Sequence, residues 1–197
     1  MASAFPPVYS FPPLYTPQPN ALIREQQVST WIDIILQYCK SKDSWCMTFE
    51  GSVIDLSTLM IEIATQGIPK ERESIFKNND IQRAVPQSFM EEIWKKLVSD
   101  GKAISTDIKT KNSRTFYIFW KNVDSWASLI LQWFETTTKL NQVVTVYELT
   151  QGDESIGWEF YGMPEPMMIH CLKPLLARNR ATLMKDEMGK VVAIKVV

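Results

Sequence analysis

A tryptophan-led helical segment occurs twice in this chain, and the repetition restricts the fold more than any other feature. Trp31-Ile-Asp-Ile-Ile-Leu-Gln-Tyr-Cys39 returns as Trp126-Ala-Ser-Leu-Ile-Leu-Gln-Trp-Phe134, at an offset of 95 residues. Val28, Trp31, Ile32, Ile35 and Cys39 share one helical face in the first copy, and Trp126, Leu129, Ile130 and Trp133 share one in the second. Each copy is therefore a helix that buries one stripe. Asn20 and Asp124 precede the helices as candidate N-caps, since a short side-chain oxygen there accepts a free first-turn N–H.

A second pair lies downstream. Pro86-Gln-Ser-Phe-Met-Glu-Glu-Ile-Trp-Lys-Lys-Leu-Val98 resembles Pro164-Glu-Pro-Met-Met-Ile-His-Cys-Leu-Lys-Pro-Leu-Leu176 at an offset of 78. Both put apolar residues at helical spacing and open with proline in the first turn, where a missing N–H costs nothing. Pro174 removes a bond inside the second copy, which predicts a kink near Ile169–Leu172. A hairpin follows each helix: Ala103–Ile108 with Thr115–Trp120 around the turn Lys109–Arg114, then Ala181–Lys185 with Lys190–Lys195 around Asp186–Gly189. Cys46–Phe49 and Val143–Val146 read as short strands, and Asn79–Ala84 and Tyr147–Gly152 as short middle helices.

Helix, strand, short helix, helix, hairpin is the order of a winged-helix domain, with the hairpin as the wing. The expected fold is mainly α with small β-hairpins (α+β): two tandem winged-helix domains at 20–122 and 123–197, behind a proline-rich tail at 1–19. The first repeat is 17 residues longer than the second between its first and third helices. This places an insertion near 50–73, where the apolar run Leu56–Ile63 suggests a further helix.

Catalytic chemistry is missing from the pattern. The one histidine, His170, adjoins Cys171, and neighbours on a helix diverge too far to act as base and nucleophile. Cys39, Cys46 and Cys171 form no CxxC pair or disulfide framework and read as buried reduced thiols. The glycines are isolated, so no phosphate loop exists, and no cofactor or metal ligand set is expected. Residues 123–197 carry 7 basic and 9 acidic side chains, and residues 1–122 carry 14 and 13. Neither half has the basic excess that holds nucleic acid through counterion release. The N-terminus lacks a signal-peptide pattern and no run reaches membrane-span length, so a soluble intracellular chain is expected.

The tail carries the most distinctive motif. Phe5-Pro-Pro-Val-Tyr9 and Phe11-Pro-Pro-Leu-Tyr15 repeat FPPxY six residues apart. Prolines fix φ and bias their predecessors to extended geometry, which predicts a polyproline II segment that docks in an aromatic-lined groove. Phe5, Tyr9, Phe11 and Tyr15 supply rigid contact surfaces, with Pro6, Pro7, Pro12, Pro13 and Leu14 between them. Two binding classes fit this tail: an assembly subunit, or a PPxY adaptor for WW-domain ubiquitin ligases.

FPPLY with Gln18-Pro19-Asn20, Asn79-Asp-Ile-Gln-Arg83, Trp126 through Trp133, and Val146-Tyr-Glu-Leu-Thr-Gln-Gly152 together resemble the small-subunit family of the ESCRT-II endosomal sorting complex, along essentially the whole chain. The resemblance implies a cytosolic, non-enzymatic subunit present in two copies and reaching endosomal membranes only through the complex. It implies docking onto the two larger ESCRT-II subunits through the N-terminal motifs and first domain. The second domain would recruit the ESCRT-III starter subunit for multivesicular body sorting of ubiquitinated cargo. Met163, Met167, Arg178, Arg180 and Lys185 are the candidate contacts for that recruitment, as an apolar strip beside cations suits an acidic amphipathic helix.

Overall fold

The computed structural model describes residues 5–55, 57–58, 61, 72–109 and 114–197. The chain forms two compact units, residues 1–120 and 121–197.

In the first unit, α1 (Ala21–Ser41) is capped by Asn20, whose side chain accepts from the Ile23 N–H. Its buried stripe runs through Gln27, Val28, Trp31, Ile35, Tyr38 and Cys39. That face meets α2 (Gln87–Ser99), which buries Phe89, Ile93, Trp94 and Leu97. Strands β1 (Cys46–Thr48), β2 (Val53–Ile54), β5 (Ala103–Lys109) and β6 (Arg114–Ile118) form an antiparallel sheet in the order β2-β1-β6-β5. The turn from β1 to β2 depends on Gly51, at φ +84°, where an added Cβ would come within 2.6 Å of the Phe76 ring. Of the further helix expected at Leu56–Ile63, residues 57, 58 and 61 are described and are helical, and the other five lie outside the described residues, as does the tip of the first wing, residues 110–113.

The segment Asn79–Ala84 departs from the helix expected there. It is the turn and return strand of a hairpin, β3 (Lys77–Asn78) with β4 (Arg83–Ala84). The Asn78 side chain is buried and accepts from the Asp80 N–H at 3.1 Å, while Gln82 takes a positive φ of 50°. A local side-chain bond of this type gives the backbone an alternative to the helical ladder.

The second unit follows the expected order throughout. Helix α3 (Val123–Thr136) buries Trp126, Ile130, Trp133 and Phe134. Its N-cap is Asn122, accepting from the Ser125 N–H at 2.7 Å, and Asp124 lies inside the first turn. β7 (Val143–Thr145) leads into α4 (Val146–Gln151) through a capping box in which Thr145 and Glu148 bond each other's backbone. These bonds from Thr145 hold the Glu148 carboxyl below its usual pKa. The helix after Pro164 is broken at Leu172 into α5 (Glu165–Cys171) and α6 (Lys173–Ala177), because Pro174 has no N–H to give the carbonyl one turn back. β8 (Ala181–Lys185) and β9 (Val191–Val196) form the wing and complete a sheet ordered β7-β9-β8. The fold is mainly helical with small antiparallel sheets, as two tandem winged-helix units require.

Candidate subunit-docking site

The tail is not the separate extended segment anticipated from its prolines. Pro7–Ser10 and Pro12–Tyr15 form two 3₁₀ turns, closed by bonds such as Tyr9 N–H to Pro6 O and Leu14 N–H to Phe11 O. Both turns pack on the first unit, so the tail is part of that unit's core. The physical reason is that x-Tyr ends each proline pair with a large amphipathic ring. Tyr9 is 9% exposed and Tyr15 1%, with Leu14 buried beside them. The rings of Tyr15 and Tyr9 stand edge-on to Trp31 at centroid distances of 5.3 and 6.2 Å, and Phe5 stacks between Tyr9 and Tyr38 at 4.1 and 5.1 Å.

Burying a proline-rich backbone leaves carbonyls that need donors, and the prolines supply none. Side chains of the first unit provide them. Gln27 donates its amide to Pro13 O (2.8 Å) and Thr16 O (3.0 Å), and accepts from the Gln18 N–H (3.0 Å). The Trp31 indole donates to Leu14 O (3.1 Å) and Asn78 to Tyr9 O (3.1 Å). The two tyrosine hydroxyls are also committed, Tyr9 to Ile75 O at 2.9 Å and Tyr15 to Tyr9 O at 2.7 Å. Burial pushes both phenols above the usual tyrosine pKa.

The other side of the tail is open. Pro7, Val8, Phe11, Pro12 and Pro13 are exposed, Phe11 at 57%, and Pro6 is half-buried. The nine tail residues singled out in the sequence therefore divide into an inward set and an outward set. A WW domain reads prolines and tyrosine together, and here both tyrosines are turned away and hydrogen-bonded within the chain.

In the second unit the five candidate residues do not form one surface. Met163 and Met167 are buried at 1% and 0% and belong to the core, where Cys171 lies 4.0 Å from the Met163 sulfur. Arg178 pairs with Asp124 at 2.8 Å, and Arg180 donates to the Val197 carbonyl. Lys185 is exposed on the wing. The large exposed apolar side chains lie instead at Val143, Tyr147, Ile156, Tyr161, Met184, Met188, Val192 and Val197. Direct cross-strand pairing puts Val143, Lys195 and Thr182 in one row and Thr145, Ala193 and Met184 in the next, on the sheet face opposite the buried Ile194.

Sequence reading missed Gln27, Trp31 and Asn78 as the holders of the tail. A signal existed at Gln27, a glutamine on an otherwise apolar stripe, one turn before Trp31. The three thiols are free and buried, and burial alone raises Cys39 to about 12 and moves Cys171 up as well. Burial and the nearby Lys173 keep His170 below its ordinary pKa. Among the described residues no cluster of three His, Cys, Asp or Glu could hold a metal, and no helix is long and apolar enough to cross a membrane.

Residues 8–164 match the model of the family described as ESCRT-II complex subunit. The chain belongs to the ESCRT-II complex subunit family. Within this ESCRT-II family it is similar to vacuolar protein-sorting-associated protein 25 of Saccharomyces cerevisiae, 54% identical over 99% of this chain and 100% of that one. Its counterpart in Xenopus laevis is 30% identical over 93% of each chain. Among solved structures, the chain superposes on "subunit VPS25 of the endosomal trafficking complex ESCRT-II" with a TM-score of 0.80 at 52% identity, covering 98% of this chain and 99% of that one. It also matches a chain of the endosomal complex ESCRT-II (VPS22/VPS25/VPS36) with a TM-score of 0.77 at 52% identity, over 97% and 99% of the two chains.

Proposed function

We propose that this chain is a non-enzymatic assembly subunit of ESCRT-II, present in two copies, whose partners are the counterparts of VPS22 and VPS36. Docking uses the outward half of the tail, Pro7, Val8, Phe11, Pro12 and Pro13, together with the first unit beneath it. The observation that carries this reading is the exposed Phe11 ring, 57% open, on a backbone made rigid from below by Gln27 and Trp31. An immobilised aromatic loses little entropy when a partner covers it, which is what interface anchors require. Co-expression with the two larger subunits tests it: Phe11→Asp with Pro13→Asp should leave the chain folded and eluting alone. Full co-elution of that variant would overturn the docking face.

In the same reading the second unit recruits the ESCRT-III starter subunit, and the complex carries the chain from cytoplasm to endosomal membranes for sorting of ubiquitinated cargo. The contact surface moves from the five residues first considered to the open sheet face of Val143 and Met184, which also carries Lys195; Lys185, next to Met184 on β8, points to the opposite face. That face mixes apolar and cationic groups and suits an acidic amphipathic helix. Val143→Asp with Met184→Asp in the full chain should abolish capture of the ESCRT-III subunit while assembly with the larger subunits persists.

A further inference from the structure

The tail is held on the first unit by the contacts that receptors make to free peptides. Its backbone bonds among the described residues close turns within the tail and do not join it to a strand. What reads it from outside is a set of side-chain donors aimed at main-chain carbonyls: Gln27 to Pro13 and Thr16, Trp31 to Leu14, Asn78 to Tyr9. Aromatic walls with donors to proline-flanked carbonyls are the means by which grooves bind proline-rich ligands supplied by other chains. The ligand is also preformed, since the Tyr15 hydroxyl on the Tyr9 carbonyl ties the two turns into one piece. The covalent link at Pro17–Asn20 contributes little to the seat; across it, Gln18 makes one bond to Gln27.

We propose that α1 and the β3–β4 hairpin form a receptor for the FPPxY pair that also takes the tail of a second copy of the chain, so that two copies can exchange tails. The second copy is favoured because the site reads both motifs at once, Asn78 and Ile75 holding the first through Tyr9 and Gln27 and Trp31 holding the second. A partner with one motif would fill half of it. Pro17 and Pro19 stiffen the hinge toward an extended course, and identical elements swap at low cost because every contact is remade. A short tether holds its ligand at an effective concentration on the order of millimolar, so each copy's own tail prevails in dilute solution. The exchange uses the inward face of the tail and docking uses the outward face, so either can fail alone.

Full chain carrying Tyr9→Ala and Tyr15→Ala has this site emptied. A fluorescent peptide of residues 5–18 should bind it saturably and at least about tenfold more tightly than it binds wild type, and adding Gln27→Ala should weaken binding about tenfold. Should the double variant fail to fold by circular dichroism, a protease site built into residues 17–19 opens the same site in chain already folded. The cut tail should then stay bound in gel filtration and be displaced by excess peptide. Two differently tagged wild-type chains, mixed and kept near millimolar concentration and fixed there by a brief chemical cross-link, should pull each other down, and Gln27→Ala chains should not. Equal peptide binding by wild-type and emptied chains, or a cut tail that leaves and is not recaptured, overturns the receptor. Peptide binding without pull-down between tagged copies overturns the exchange.

Discussion

Tyr15→Ala and Phe11→Ala remove aromatic rings from the same FPPLY motif, and the structure assigns them opposite consequences. Tyr15 is 1% exposed, packed edge-on against Trp31, and its hydroxyl bonds the Tyr9 carbonyl at 2.7 Å. Truncating a buried ring of that size costs about 3–5 kcal/mol, a large part of the roughly 5–15 kcal/mol that holds a domain together. Tyr15→Phe separates ring from hydroxyl. It should cost only about 1 kcal/mol, because the Tyr9 carbonyl keeps its bond from Asn78. Phe11→Ala removes a ring that is mostly in water and should fall within about 0.5 kcal/mol of wild type. Urea titration of the full chain followed by circular dichroism ranks the three variants. A Tyr15→Ala midpoint equal to that of wild type would refute the placement of the tail in the core.

Trp126→Ala should cost about 3–5 kcal/mol, because the ring is fully buried; hydrogen exchange should locate the loss in residues 121–197 and leave the tail protected. Gly51→Ala forces an L side chain to φ +84° and against the Phe76 ring, so it should lower stability by about 1–3 kcal/mol in thermal unfolding. The Tyr9 and Tyr15 phenols titrate above the ordinary value of 10.0 only while buried. Their neutral forms are favoured in the folded state, so stability is intact below pH 10 and falls as pH rises toward the raised values; phenolate absorbance and loss of the circular dichroism signal should rise together.

Much of this fold was legible because tryptophan on a helical period is a strong burial signal, and both Trp31 and Trp126 are fully enclosed. The break at Leu172 followed from Pro174 alone, a local covalent fact. What escaped was decided by partners far along the chain. FPPxY looks extended by itself, yet its carbonyls are claimed by Gln27, Trp31 and Asn78, and Asn78 lies 69 residues from its acceptor. Asn79–Ala84 turned into a hairpin because the Asn78 side chain bonds its own loop while bridging to the tail. Met167 read as core more readily than as surface, and the packing of α5 against α3 and α4 buries it, whereas Met163, just ahead of α5, had no helical period to place it and is buried too. Asn122 and Asp124 are equally competent caps in chemistry, and the former won by position.

The central claim is that the tail has two faces, one bonded to its own domain and one free for the larger ESCRT-II subunits. Fluorine NMR of the full chain, labelled with fluorophenylalanine at Phe11 in one sample and fluorotyrosine at Tyr15 in another, tests it directly. On adding the co-purified larger subunits, the Phe11 signal should shift and lose contact with solvent, while the Tyr15 signal keeps its buried position. A Tyr15 signal that moves as the tail leaves its seat, with Phe11 still in water, would contradict the two-faced tail.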